Sequence, residues 1–95
     1  MGFMRDKIGD AAMYEQLAEE CAELGQAALK LARIIRNENP TPVTSAEAQK
    51  NLSEEFTDVL TCAAEFRLYP DLRQAQAKLE RFEQRWEEAH RASES

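Results

Sequence analysis

Residues 16–35, QLAEECAELGQAALKLARII, decide the fold class of this chain. Apolar or small residues recur there in alternating steps of four and three, a spacing typical of an amphipathic helix packed at a shallow angle against its neighbours. They are Leu17, Cys21, Leu24, Ala28, Leu31 and Ile35. The same steps recur at Leu52, Phe56, Val59, Ala63 and Phe66, and again along Leu72, Ala75, Leu79, Phe82, Trp86 and Ala89. The pattern predicts an all-α fold, a helical bundle with three main helices in each chain.

Prolines and capping residues predict where these helices begin and end. Pro40 and Pro42 exclude a helix from the loop at residues 37–42, and Pro70 marks a second break. Each later helix follows a capping pair three residues apart: Thr44 with Glu47, and Asp71 with Gln74. We expect helices over Asp10–Arg36, Ser45–Arg67 and Leu72 to about His90, within a single domain 1–95 whose residues 1–9 form an N-terminal arm and whose residues 91–95 form a flexible tail.

Composition excludes several classes of protein. With only 3 Gly and 3 Pro, a β-fold with many hairpins is disfavoured, and 43% hydrophobic residues are too many for a disordered chain. The net charge of −6 argues against binding to a nucleic-acid polymer, because such binding depends on neutralising phosphates. No apolar run approaches the ~20 residues of a membrane span, and no secretory hydrophobic region is present. We therefore expect a cytoplasmic protein without a membrane partner, in which Cys21 and Cys62 are reduced, helix-packed thiols.

We call each of these three rows of apolar residues a seam. Charged residues often stand one position before a seam residue. In the first two helices this position holds two pairs of carboxylates, Glu20 with Glu23 and Glu55 with Asp58, and each pair lies on one helix face. In the third helix it holds the basic strip, defined as Lys78, Arg81 and Arg85. Carboxylates that converge beside a core repel one another unless a cation neutralises them, and oxygen ligands suit Mg²⁺ or Mn²⁺. A basic strip beside them would suit a phosphate-bearing ligand.

Simpler interpretations of the same residues stay open at this point. Acidic residues are common on solvated helix faces, and the basic strip would equally pair with Glu87 or Glu88 on the helix surface. Trp86 fits a core position better than a stacking platform for a base. Asn51 fits a simple surface amide.

The motifs also resemble a known family, the MazG-like all-α nucleoside triphosphate pyrophosphohydrolases. Glu19-Glu20-Cys21-Ala22-Glu23 matches the first half of the family motif, E-E-x-x-E, and Glu55-Phe56-Thr57-Asp58 matches the second half, E-x-x-D. Residues 78–86, KLERFEQRW, are similar to the K-x-x-R segment of small phage and bacterial members. The likeness covers Gln16 to Trp86. One departure is the stretch between the half-motifs, which is slightly longer than usual because of the loop at Pro40–Pro42.

The resemblance implies a reaction and a set of site residues. Members hydrolyse nucleoside triphosphates between the α and β phosphates with Mg²⁺, and they form homodimers or homotetramers around a four-helix module completed by oligomerisation. By that likeness the metal ligands are Glu20, Glu23, Glu55 and Asp58. Glu19 and Glu20 are the catalytic residues, with Glu19 orienting or deprotonating the attacking water, and the phosphates are held by Lys78, Arg81 and Arg85. Asn51, one turn before Glu55, is the candidate contact to the nucleoside. Which carboxylate is the general base, and which base and sugar are bound, stay open.

Two alternatives remain beside this hypothesis. One is a non-catalytic helical module for dimerisation or partner binding. The other is the related pyrophosphohydrolase of histidine biosynthesis, which acts on phosphoribosyl-ATP.

Overall fold

Four α-helices make up the regular structure of the described residues. The computed structural model describes residues 3–38 and 43–94. The helices are α1 at Met4–Ile8, α2 at Asp10–Arg36, α3 at Ser45–Ala64 and α4 at Leu72–Glu94. The described segments contain no β-strand, so the predicted all-α class is confirmed. Residues 39–42 of the predicted loop, residues 1–2 of the predicted arm and the last residue of the predicted tail lie outside the described residues.

The predicted capping pairs form at the start of α3 and α4. The Thr44 hydroxyl accepts a hydrogen bond of 3.1 Å from the backbone N–H of Glu47. A carboxylate oxygen of Asp71 accepts one of 3.1 Å from the N–H of Gln74. Each bond satisfies an N–H that has no partner within its helix, which is why both helices begin where the sequence predicted.

The end of α3 differs from the sequence prediction. We expected a helix to Arg67, but α3 ends at Ala64. The N–H groups of the next three residues bond three residues back rather than four, which tightens the turn. Arg67 then adopts a left-handed conformation with φ of 56°, and Leu68 N–H donates to Ala63 O at 3.1 Å. This is the hydrogen bond of a Schellman motif, formed here without glycine at the left-handed position.

The N-terminal segment contains a helix that its short apolar pattern does not predict. α1 has five residues and ends at Gly9, whose φ is 91°. It is anchored to the end of α3, because the backbone N–H of Arg5 donates to a carboxylate oxygen of Glu65 at 3.0 Å. The Arg5 guanidinium lies 5.5 Å from the ring centre of Phe66, which stacks on Tyr14 at 3.8 Å.

α2 and α3 form an antiparallel pair that supplies the main interhelix contact of the described chain. The buried apolar side chains are Met13, Ala27 and Ala48, with 4%, 5% and 2% of their surface exposed. Small side chains at the contact allow two helices to approach closely. With so few buried side chains, one chain has a thin core.

The line of contact between α2 and α3 is shifted from the predicted seams. Cys21 and Ala28 are exposed, and Ile35 and Phe56 retain 71% and 51% of their exposed surface. The expectation that these residues pack inside the chain, including the expectation of a packed thiol at Cys21, is wrong for a single chain. The reason is that each apolar face is wider than one neighbour covers. The contact lies one position earlier, at Ala27, and therefore includes part of the acidic positions.

α4 stands apart from the other helices. No helix-to-helix contact involves it within the described segments, and residues 72–93 are all exposed. It runs to Glu94, beyond the predicted end near His90, because no glycine or proline interrupts it. None of the helices in the described segments combines the length and the sustained hydropathy that a membrane crossing requires.

Candidate metal centre

Three carboxylates converge where α2 and α3 cross. Glu20, Glu23 and Glu55 each offer an oxygen atom, and these three oxygens lie within 4.8 Å of one another. Glu20 and Glu23 share a face of α2 because they are three residues apart, and the antiparallel arrangement places Glu55 of α3 opposite them. We call these three residues the carboxylate cluster. Sequence spacing predicted all of its members.

Two oxygens of the carboxylate cluster are buried without a hydrogen-bond donor. They are Oε2 of Glu20 and Oε2 of Glu55, and no described residue donates to either. The other oxygen of Glu20 accepts a hydrogen bond of 2.8 Å from the side-chain amide of Gln16. A buried carboxylate oxygen without a donor is costly, since it has lost water and gained nothing. A cation held by these carboxylates would neutralise their charge.

The pKa of Glu23 reflects how close the three carboxylates are to one another. The negative charge of Glu20 is the largest cause that raises the pKa of Glu23 above its usual range. Desolvation and the charge of Glu55 add to the rise, as do the hydrogen bonds that Glu23, once protonated, would donate to these two neighbouring carboxylates. A raised carboxyl pKa means that the site favours binding a positive particle. A proton and a metal ion compete for these oxygens.

The donor set fits a hard divalent cation. All three donors are carboxylate oxygens, which suit Mg²⁺ and Mn²⁺ rather than soft metals. Glu20 and Glu55 are half-buried whereas Glu23 is exposed. The cluster is thus fixed on its inner side by the helix pair and open to ligands on its outer side.

Asp58, the predicted fourth ligand, does not join the carboxylate cluster in this structure. It is exposed on α3, about one turn after Glu55. Its charge acts on Cys62, whose pKa is raised first by burial and then by the charges of Glu20 and Asp58. The thiol of Cys62 therefore stays protonated and does not add a thiolate to the site.

Two neighbours of the cluster had no assigned role in the sequence prediction, although both lie on the acidic helix faces. Gln16 is four residues before Glu20, which is the spacing of its hydrogen bond. Cys62 is four residues after Asp58, and the charges of Glu20 and Asp58 raise its pKa after burial, the largest cause. Spacing alone was the available signal for both residues.

Glu19 and Asn51 lie beside the cluster and are exposed. Glu19 directly precedes Glu20, and Asn51 is one turn before Glu55. Neither side chain makes a hydrogen bond to the cluster within the described part of the chain.

The basic strip lies on α4, away from the carboxylate cluster of the same chain. Its residues Lys78, Arg81 and Arg85 are exposed, and none forms an ion pair with a described residue. The surface pairing that we considered for them does not form, because Glu87 pairs with Arg91 at 3.5 Å and Glu88 accepts a hydrogen bond from Gln84.

Trp86 lies next to the basic strip and is not a core residue within one chain. It is 56% exposed and stacks on His90, with the ring centres 3.6 Å apart. The core position that its spacing suggested would thus need a neighbour from outside this chain.

Comparisons with family models, curated proteins and solved structures returned no match for this chain. The features of this chain that bear on its function are the two acidic half-motifs, the basic strip and the geometry of the carboxylate cluster.

Proposed function

We propose that this chain is a nucleoside triphosphate pyrophosphohydrolase that depends on a divalent cation. It would hydrolyse a ribo- or deoxyribonucleoside triphosphate between the α and β phosphates, giving the monophosphate and pyrophosphate. Two observations carry the proposal: a carboxylate oxygen from each of Glu20, Glu23 and Glu55 lies within 4.8 Å of the others, and one oxygen each of Glu20 and Glu55 is buried without a donor. A cation would neutralise these carboxylates, and the order of the motifs resembles an enzyme family that uses Mg²⁺ on nucleotides.

Each residue then has a defined task. Glu20, Glu23 and Glu55 would hold Mg²⁺ or Mn²⁺, with Asp58 turning in as a fourth ligand from the next turn of α3. The bound cation supplies charge neutralisation on the phosphates, which is the main need of phosphoryl chemistry.

The remaining site residues would act on water and substrate. Glu19 would orient the attacking water, and Asn51 would contact the nucleoside. The phosphate oxygens would be held by Lys78, Arg81 and Arg85. Water adds to the α-phosphorus, the bond to the bridging oxygen breaks, and pyrophosphate leaves.

We further propose that the enzyme is a cytoplasmic homodimer or homotetramer in which oligomerisation completes a four-helix module. Phe56 and Leu60 of α3 keep 51% and 44% of their surface exposed. Chains of this length bury only about two-thirds of their unfolded surface, so a second chain adds core that one chain lacks.

The exposed apolar surface also favours a second candidate, a non-catalytic module for dimerisation or partner binding. This alternative explains the free helix α4 and the thin core. It does not explain why three carboxylates converge where α2 and α3 cross, or why two of them each have a buried oxygen without a donor.

An assay of both products separates these candidates. We would incubate the protein with a panel of common and damaged nucleoside triphosphates, with Mg²⁺ or Mn²⁺, and measure monophosphate and pyrophosphate together. Glu20→Gln and Asp58→Asn should abolish turnover while circular dichroism stays unchanged, because each removes a charged ligand and preserves shape. Glu54→Gln is the matched control, since Glu54 is an exposed neighbour outside the cluster. Absence of product with every nucleotide, or wild-type turnover in both site variants, would contradict the proposal.

A further inference from the structure

α4 carries an apolar row that none of the described residues covers. Leu79, Phe82 and Trp86 are three and four residues apart, so they share one face of the helix. They retain 51%, 66% and 56% of their surface exposed. An apolar row this large on a 23-residue helix without helix contacts is typical of an interaction surface.

A complementary surface exists on α3, beside the carboxylate cluster. Phe56 and Leu60 are one turn apart and exposed, at 51% and 44%. Glu55 precedes Phe56 by one position, and Asp58 lies between the two apolar residues. This surface therefore combines an apolar row with negative charge.

The surface of α4 has the same design with the opposite charge. Each apolar residue of its row directly follows a residue of the basic strip: Leu79 follows Lys78, Phe82 follows Arg81, and Trp86 follows Arg85. Packing the two rows together would bury both and bring the basic strip toward the carboxylates. Opposite charges on matching surfaces guide association and fix its register.

The connection between α3 and α4 directs α4 away from its own hairpin. On one side α3 is closed by the left-handed turn at Arg67, and on the other side Asp71 caps the start of α4. Pro70 further restricts the backbone between them. With both ends of this connection held by hydrogen bonds, α4 projects outward, and the chain extends over 58 Å along its longest axis.

We propose that α4 of a second copy packs on the exposed row of α3, so that the partner's Lys78, Arg81 and Arg85 lie beside the carboxylate cluster. Two-fold symmetry allows both copies to make the same exchange. Each phosphate-binding site would then combine acidic residues from one chain with basic residues from the other. The assignment of this combined site to nucleotide phosphates rests on the proposed function, whereas the helix exchange itself does not.

Cross-linking between isotopically distinct copies tests the exchange without any activity measurement. We would mix equal amounts of unlabelled and ¹⁵N-labelled protein in denaturant, refold them together, and join lysines to nearby carboxylates with a carbodiimide. The expected product links the Lys78 peptide to a peptide of the carboxylate cluster or Asp58, with about half of the linked pairs carrying one label each in a random mixture of symmetric pairs. Lys78→Arg keeps the charge and should abolish the product. Links within single-label pairs alone, or no such link, would overturn the proposal.

Mixing two variants with impaired turnover tests the combined site. Glu55→Gln removes the acidic half, and Arg85→Ala removes the basic half. If the halves come from different chains, the mixed dimer has one intact site, and the refolded mixture should recover about a quarter of wild-type turnover. Recovery no greater than the sum of the parents would overturn the shared site. A wild type without turnover would overturn the proposed function alone, because the cross-linking result still decides the exchange.

Discussion

Replacing Glu55 with glutamine should have opposite effects on stability with and without a cation. The change preserves the shape of a half-buried side chain, removes one of three negative charges, and supplies an amide N–H₂ close to Glu20. The metal-free variant should therefore melt above the wild type. With Mg²⁺ or Mn²⁺ present, the order should reverse, because the variant has lost a ligand.

The distance within the carboxylate cluster sets the size of the metal-free effect. Two unit charges 4.8 Å apart repel by about 1 kcal/mol with the dielectric constant of water and by about 3 kcal/mol with an effective value of 20. Glu20 and Glu55 are half-buried, so the lower figure is a cautious choice. In a domain of this size, about 1 kcal/mol corresponds to a rise of about 4–8 °C in melting temperature.

The cation sets the size of the opposite effect. A ligand at about 100 times its Kd stabilises the folded state by about 2.7 kcal/mol, which corresponds to about 10–20 °C for a domain of this length. In Glu55→Gln the gain should shrink to a few degrees, because two carboxylates hold the cation less tightly than three.

Thermal melting by circular dichroism at pH 7.5 measures both effects, with a chelator in one arm and millimolar cation in the other. Glu54→Gln is the control, since it removes the same charge from an exposed position on the same helix. A crossing of the wild-type and Glu55→Gln values, absent in the control, is the expected result. If millimolar cation leaves the wild-type melting temperature unchanged, or if the two variants behave alike, the carboxylate cluster is not a metal site.

Three further predictions address other parts of the chain. Glu23 has a raised pKa in the folded protein, so its contribution to metal-free stability is present below the usual value of 4.5 and is lost as pH rises through the raised value. Urea unfolding in chelator should show that the free energy of unfolding falls less with rising pH in Glu23→Gln than in the wild type. An equal fall in both proteins would refute the assignment of this pH dependence to Glu23. Arg67→Gly should stabilise the protein by about 0.5–1 kcal/mol in thermal melting, because glycine adopts the left-handed conformation without strain, whereas Arg67→Ala should not. Arg85→Ala should lower turnover or nucleotide binding and change stability by no more than about 1 kcal/mol, since this exposed side chain has no ion pair with a described residue; a large loss of stability with intact kinetics would assign the basic strip to packing.

The sequence contains enough local information to predict the long helices but not how they pack. The capping pairs at Thr44 and Asp71 act over three residues, so their geometry follows from the local sequence alone. The end of α3 is harder to predict. Arg67 adopts a left-handed conformation that usually requires glycine, so the sequence has no glycine to mark the turn. The helix α1 is too short for any periodicity to show.

The candidate site was predictable in its acidic half because spacing on a helix determines which side chains share a face. Glu20 and Glu23 share a face of α2 because they are three residues apart, and the position of Glu55 on an antiparallel neighbour made contact with them a reasonable expectation. The sequence pattern did not indicate how far apart residues on different helices lie. Asp58 does not join the cluster and α4 does not pack on its own hairpin, and both outcomes depend on tertiary contacts that no local pattern encodes.

The placement of the carboxylate cluster links the site to the stability of the fold. Ala27 and Ala48 are buried in the contact between α2 and α3, and their small size lets the two helices approach closely. The same approach brings Glu20 near Glu55 and removes water from one oxygen of each. Larger apolar residues at Glu20 and Glu55 would strengthen the core, yet the chain has carboxylates there and leaves Phe56 outside. This hairpin has acidic residues in its interhelix contact and apolar residues on its outer surface, so we expect it to be weakly stable alone. Its stability should increase most when the acids are neutralised and the apolar side chains are covered. By our proposals, a divalent cation would do the first and a second copy would do the second, so both should stabilise the fold, and removing either should leave the hairpin more dependent on the other.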